Sequence, residues 1–258
     1  MKKWTAFILA VLMLTMTACN QEAKSQAGVD STQPTESISD TALPADPVIQ
    51  GEITDVVLSD DSITVGGRTA GQDTALVYIS RDIVYYEDRE TYHSGNPYGE
   101  GDENDRHSVE EADGHLVVNI TEPGNYRLTG QLSLGQIRID LGEDAHEDPA
   151  AVVNLLLDGV SITSTVAPAI LFQNVYECDG GWSAESASAL VDTSGAGANL
   201  ILVSGSRNTV KGSHVAKIYK DKEGEKKLWK QDGAIYSYMS MNVAGGGSLD
   251  LYADNEGL

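Results

Sequence analysis

From Val152 to Asn174 the chain reads V-V-N-L-L-L-D-G-V-S-I-T-S-T-V-A-P-A-I-L-F-Q-N, three short apolar runs separated by polar corners. The first, Val152 to Leu157, predicts a strand that breaks at Asp158-Gly159, because glycine accepts positive φ and aspartate bonds its own backbone. The second, Val160 to Thr163, alternates apolar and hydroxyl side chains at the period of two that marks a half-buried strand. A corner ending at Pro168 leads to the third, Ala169 to Phe172. None has room for a helix, and none is long enough to form a sheet alone. The pattern requires similar neighbours stacked beside it.

Those neighbours occur. Asn199 to Gly205 (N-L-I-L-V-S-G) repeats N-L-L-L-D-G, with Leu156 falling on Leu202 and Gly159 on Gly205. Asp232 to Tyr236 (D-G-A-I-Y) echoes Ala167 to Leu171 (A-P-A-I-L), at a wider spacing taken up by an insertion at the lysine-rich run Lys217 to Lys230. A third unit begins at Met241-Asn242-Val243, turns at Gly245-Gly246-Gly247 and resumes as Ser248 to Tyr252. Self-similarity at a near-fixed period marks a solenoid, and strand-built units make it a parallel β-helix. A β-sandwich, also made of short strands and regular turns, is the alternative. The chain stops at Asp254 to Leu258, directly after a strand, where a solenoid requires a capping element. The expectation is therefore an all-β, right-handed parallel β-helix truncated at its C-terminus, the hand being implied by the resemblance given below.

Upstream, Ile53 to Leu58, Ser62 to Val65 and Ala75 to Tyr86 read as strands, followed by a polar loop from Glu87 to Asp113. Leu116 to Ile120, Tyr126 to Thr129 and Gln136 to Leu141 read as strands again. Residues 51–130 thus form N-terminal strands and a cap, and residues 131–258 the repeated coils. Tyr176 to Asn199 is a long Gly/Ser/Ala loop containing Trp182, and such loops are usually functional or mobile.

Residues 1–19 have a basic start (Lys2, Lys3), an apolar stretch from Ala6 to Leu14, and then T-M-T-A-C. That is a secretory signal, too short to span a membrane. Its ending resembles a bacterial lipobox, with Met16 where leucine is usual, and makes Cys19 a lipid anchor. Residues 20–50 carry Gln, Ser, Thr, Pro, Asp and Glu without apolar period, a composition that cannot offset chain entropy and predicts a disordered tether. Together these place the domain on the outer face of the cell membrane, with lipid as its only membrane contact.

Composition narrows the function. A net charge of −22 over 258 residues argues against nucleic acid, whose phosphates demand a basic face. Acidity for solubility alone is an equally ordinary reading. Two cysteines, Cys19 and Cys178, cannot build a disulfide framework. The histidines lack metal spacing, and neither a G-x-S-x-G elbow nor a phosphate loop occurs.

Several stretches in order, among them I-T-E-P-G-N-Y-R-L-T-G-Q-L (120–132), G-Q-I-R-I-D-L-G-E-D-A (135–145), L-L-L-D-G-V-S-I-T (155–163), A-P-A-I-L-F-Q-N-V-Y-E-C (167–178), D-G-A-I-Y-S (232–237) and A-D-N-E-G-L (253–258), resemble one family. It comprises secreted lipoproteins of clostridial-type bacteria known as carbohydrate-binding domain-containing proteins. The resemblance covers residues 50–258. It implies a right-handed parallel β-helix shaped like pectate lyases, bound calcium, and binding of cellulose or acidic plant polysaccharide such as polygalacturonate without cleavage. Family members run on past A-D-N-E-G-L with further coils.

Calcium takes six to eight oxygen ligands, so a site needs carboxylates and carbonyls meeting at a turn. Asp102, Asn104 and Asp105 form one such group and Asp254, Asn255 and Glu256 another; adjacent carboxylates repel unless a cation bridges them, though acidic corners also simply stay solvated. A bound Ca²⁺ would invert the local sign for a uronate. Sugar rings pack on exposed aromatics, and Trp182, Trp229, Tyr92 and Tyr98 sit in polar loops suited to that role, or to covering the fold's flank with a half-buried ring. Arg138, Arg207 and Lys211 are the repeat-borne bases that a pectate-type lyase could use. The sequence therefore predicts a non-catalytic, calcium-dependent polysaccharide-binding lipoprotein. A polysaccharide lyase of similar fold and a surface adhesin with a protein ligand are the alternatives.

Overall fold

Alternation decides what each strand buries. In β9, Val153–Thr163, the side chains of Val153, Leu155, Leu157, Val160 and Ile162 are buried in one core, while Asn154, Ser161 and Thr163 face the other way, half-buried. The computed structural model describes residues 46–71, 76–87, 98–100, 103–179, 192–219, 226–227 and 230–258, all within the unit 42–258.

Before β9 lie β1 (Ile53–Leu58), β2 (Thr64–Val65), β3 (Arg68–Thr69), β4 (Val77–Ser80), β5 (Tyr98–Glu100), β6 (Leu116–Ile120), β7 (Gly124–Leu132) and β8 (Gly135–Asp140). After it come β10 (Ile170–Asn174), β11 (Ala198–Leu202), β12 (Arg207–Gly212), β13 (Lys217–Tyr219), β14 (Lys226–Lys227), β15 (Ile235–Ser237), β16 (Met241–Ala244) and β17 (Ser248–Ala253). The largest sheet runs β16-β11-β9-β7-β1-β2-β3, and the second half of β9 also pairs with β12, which pairs with β17. A second sheet runs β15-β10-β8-β6-β4 and a third, small one β14-β13-β5. The first two face each other across a single core. Leu128, Leu155, Leu200 and Val210 come from one layer, and Val118, Ile137, Phe172 and Ile235 from the other.

This corrects the right-handed parallel β-helix expected from the repeats. The sheets are mixed: β1/β2, β2/β3, β4/β6, β5/β13 and β13/β14 pair antiparallel, while the repeat strands pair in parallel. Two mixed sheets laid face to face make a sandwich-like architecture, the arrangement that shares short strands and regular turns with a solenoid. The repeat spacing is also uneven, since Asn125 pairs with Asn154, Asn154 with Asn199 and Asn199 with Asn242 across connections of different length. Register departs by one residue from the sequence alignment: Leu156 lies opposite Ile201, not Leu202. The break expected at Asp158-Gly159 is a bulge within a continuous strand, where the β7 partner skips between Leu128 and Gly130.

One short helix, α1 (Val109–Asp113), stands where a polar loop was expected. Ser108 caps it by accepting from the Glu111 amide at 3.1 Å, the first half of an S-x-x-E capping box. The lysine-rich insertion forms a hairpin of β13 and β14 whose other edge pairs with β5.

Candidate functional site

The alternation that buries Leu249 and Leu251 in part places Ser248, Asp250 and Tyr252 on the opposite, exposed face of β17. On β12 the same rule buries Asn208 and Val210 and leaves Arg207 and Lys211 exposed, with Thr209 half-buried between them. Parallel register lines these positions up in rows. Gln131, Ser161, Thr209 and Asp250 are successive partners across β7, β9, β12 and β17. Thr163, Lys211 and Tyr252 form the next row, and Arg207 stands opposite Ser248.

The result is a polar sheet face with one aromatic ring on it. Tyr252 is 56% exposed, and the Lys211 ammonium sits 5.3 Å from its ring centroid, within cation–π range. Arg207 and Lys211 are two strand residues pairs apart on one face, on the order of 13 Å at about 3.3 Å per residue. Such a face offers hydroxyls and an amide to sugar hydroxyls, a ring to the apolar face of a pyranose, and two cations to a uronate carboxylate.

Arg138, the third base considered from sequence, is tied down elsewhere. Its Nε donates to Asn119 Oδ1 at 2.7 Å and its Nη2 to Asp82 Oδ2 at 2.9 Å, on the other sheet. Burial pushes the Asp82 carboxyl up, but Arg138 and the Ser80 hydroxyl outweigh it and hold the group below its ordinary value.

The two acidic groups proposed for calcium are brought together, though by an imidazole. His214 places Nδ1 3.1 Å from Asp254 Oδ1 and Nε2 3.7 Å from Asp105 Oδ2, and Ser213 Oγ donates to Asp254 Oδ2 at 2.5 Å. Asn104, Asn255 and Glu256 are exposed, and Glu256 joins its neighbours through its backbone, bonded to Asp232 and Ala234. Among the described residues no group of three or more His, Cys, Asp and Glu is placed to hold a metal ion. These donors alone do not furnish the six to eight oxygens of a calcium shell.

Cys19, Tyr92, Asp102, Trp182 and Trp229 lie outside the described residues. Tyr98 has a described backbone in β5, paired with Tyr219, and nothing is described of its side chain. Tyr252 was not among the aromatics singled out from sequence, although S-L-D-L-Y-A carries the signal of its exposure: strict alternation puts Ser248, Asp250 and Tyr252 on one face.

The exposed face of β12 and β17 thus carries two cations, hydroxyls and a ring in register. The chain belongs to the carbohydrate-binding domain-containing protein family, whose model matches residues 114–258, the segment that holds the strands bearing this face. Neither the curated proteins nor the solved structures contain a match.

Proposed function

We propose that this is a non-catalytic polysaccharide-binding protein, attached through Cys19 to the outer face of the cell membrane and held off it by the polar stretch that runs from residue 20 to the docked segment at Asp46. Its ligand is cellulose or an acidic plant polysaccharide such as polygalacturonate. The observation that carries the reading is the row Thr163–Lys211–Tyr252, which sets an exposed ring beside a cation on an open face of a carbohydrate-binding family member. The pattern of residues 1–19 supports the anchor, and the family supports the class of ligand. Calcium belongs to the reading as a condition to be tested, because the described donors at Asp105 and Asp254 already share His214.

Retention of the full chain on cellulose and polygalacturonate, with calcium and with chelator, tests it. Tyr252→Ala should weaken retention roughly tenfold, about 1.4 kcal/mol, the scale of a lost aromatic platform. Unchanged retention by that variant would remove the face from the reading. Loss in chelator would install calcium, and unsaturated products absorbing in the same samples would turn the reading into a lyase.

A further inference from the structure

We propose that the groove between Asp46–Gln50 and the asparagines of β9, β11 and β16 is a second saccharide subsite, selective for a neutral sugar chain over a uronic one. The proposal rests on the carbohydrate-binding reading but on none of the residues of the Tyr252 face. The groove has a volume of about 550 Å³, within the range of small-ligand sites.

Its floor is a row of amides. Asn154, Asn199 and Asn242 are successive partners across the three strands, turned away from the buried Val153, Leu155 and Leu200. Their donors are largely committed: Asn154 Nδ2 donates to Asn125 Oδ1 at 2.7 Å, Asn199 Nδ2 to Ala196 O at 2.9 Å, and Asn242 Nδ2 to Asn199 Oδ1 at 2.9 Å and Thr193 O at 2.7 Å. Among the described residues, Asn154 Oδ1 and Asn242 Oδ1 accept no hydrogen bond, so each is an acceptor with capacity for a sugar hydroxyl. They stand two strand spacings apart, about 9.5 Å, close to the length of a disaccharide unit.

The wall is the segment Asp46–Gln50, which crosses from the β16 turn to the start of β1. Asp46 clips its far end by accepting from Ser204 N at 3.0 Å, Ser204 Oγ at 2.8 Å and Gly246 N at 3.1 Å. Gln50 O accepts from Asn125 Nδ2 at 2.9 Å at its near end. Val48 and Ile49 on the wall, with Ile201 and Val243 opposite, give the groove apolar surface for the C–H face of a pyranose, and Val48 is 83% exposed. Of the wall, Pro47–Gln50 line the cavity, and no lining residue is charged, while the Asp46 carboxylate at the wall's end is turned to Ser204 and Gly246. A uronate carboxylate would enter with amides but no cation to offset its desolvation, on a chain of net charge −22. A neutral hydroxylated ring meets no such cost.

The test is calorimetric titration of the full chain with cellotetraose and with trigalacturonate, repeated on Ala244→Trp, Asp46→Ala and Tyr252→Ala. Ala244 is an exposed groove residue of β16, so an indole there fills the site without entering the core. Cellotetraose should bind the native chain, and affinity should fall at least tenfold in A244W and in D46A, which frees the wall, while Y252A keeps it. Trigalacturonate should bind the groove at least tenfold more weakly. Absence of cellotetraose binding, equal binding of both sugars at the groove, or affinity unchanged in A244W and D46A would each overturn the subsite. Affinity lost only in Y252A would assign the oligosaccharide to the β12/β17 face, leaving the broader reading intact.

Discussion

Gly159 and Gly205 turn the backbone through the same left-handed conformation, φ +78° at each, one inside β9 and the other between β11 and β12. A Cβ added at either position would meet no atom within 4 Å. Only backbone strain therefore opposes a side chain there. Gly159→Ala should cost about 1–2 kcal/mol, and Gly159→Val, with its branched Cβ, up to about 3. Gly212 makes the contrast: at an unstrained φ, its added Cβ would lie 2.5 Å from Ala234 Cα, so Gly212→Ala should destabilise more than Gly159→Ala. Denaturant melts of the three variants decide the order, and a Gly159→Val melt equal to the native one would reject the strain argument.

Asn208 fastens the same corner. Only 1% exposed, its Oδ1 accepts from Gly159 N at 2.9 Å and Val160 N at 3.1 Å, while Nδ2 donates to Ser206 Oγ at 2.8 Å and Ser248 O at 3.0 Å. One amide thereby ties β9, β12 and β17 together beneath the candidate face. Asn208→Ala takes the partner from the buried Val160 N–H, worth about 1–3 kcal/mol, and from the part-buried Gly159 N–H and Ser248 carbonyl. The expected outcome is a loss at the upper end of that range, with Asn208→Asp milder; a loss below about 1 kcal/mol in the alanine variant would show that water replaces the amide.

His115 should give stability a slope on the acid side of neutrality. The ring is fully buried, Nδ1 donates to Glu111 O at 2.9 Å and Nε2 accepts from Thr165 N at 3.1 Å, which fixes the neutral tautomer. Burial pushes its pKa below the ordinary 6.5, against the opposing pull of Glu111. As pH falls through 6.5 the unfolded chain therefore takes up the proton first, and stability is lost; above 6.5 the cost is absent. Urea melts at pH 7.5 and 5.5 should differ, and the difference should shrink in His115→Gln, which keeps both hydrogen-bonding roles without a titrating ring. An equal slope in both proteins would assign the effect to other groups.

Much of the strand pattern was legible in the sequence because period-two alternation is a local property. Ile53–Leu58 and Leu116–Ile120 were read with the bounds they have, and Met241 and Ser248 open β16 and β17 as read. Pairing is not local, which is why antiparallel β2, β3 and β4 and the mixed sheets could not be read from the repeats. The helix at Val109–Asp113 was hidden by its polarity, although Ser108 and Glu111 spell its cap. Asp46–Gln50 reads by composition as the end of a tether, and partners distant in sequence, Ser204 and Gly246 at Asp46 and Asn125 at Gln50, hold it in place. The groove was invisible for the same reason, yet an asparagine at each strand start, in N-Y-R-L, N-L-L-L, N-L-I-L and N-V-A, was its one sequence mark.

The Asp46 clip should release in acid. Hydrogen bonds from the Ser204 backbone, the Ser204 hydroxyl and the Gly246 backbone hold its carboxyl below the ordinary 3.8. The clip is therefore fully engaged above about pH 4 and is lost as pH falls through the lowered value. Hydrogen exchange at the Ser204 and Gly246 amides should be protected at pH 6, lose that protection once the pH is taken below the lowered value, and be unprotected at both in Asp46→Ala. Protection that persists in the alanine variant would show that the segment is held by Pro47–Gln50 alone.

Arg207 and Lys211 should divide acidic from neutral polymers on the β12/β17 face. Both cations are exposed on one strand face, with the exposed Asp250 in the next strand in register with Thr209 between them. Exposed charges attract a uronate through water, so the attraction is screened over a Debye length of about 8 Å at 0.15 M salt and about 3 Å at 1 M. Polygalacturonate retention should fall as sodium chloride rises from 0.05 to 0.5 M, on the order of tenfold, while cellulose retention holds, since ring stacking on Tyr252 carries no net charge. Arg207→Glu with Lys211→Glu should abolish the uronate component and its salt dependence and leave cellulose retention within about twofold. Cellulose retention lost together with that of polygalacturonate would show that the aliphatic stem of Lys211 positions the Tyr252 ring, and Lys211→Leu, which keeps an apolar stem without the charge, would then restore cellulose alone.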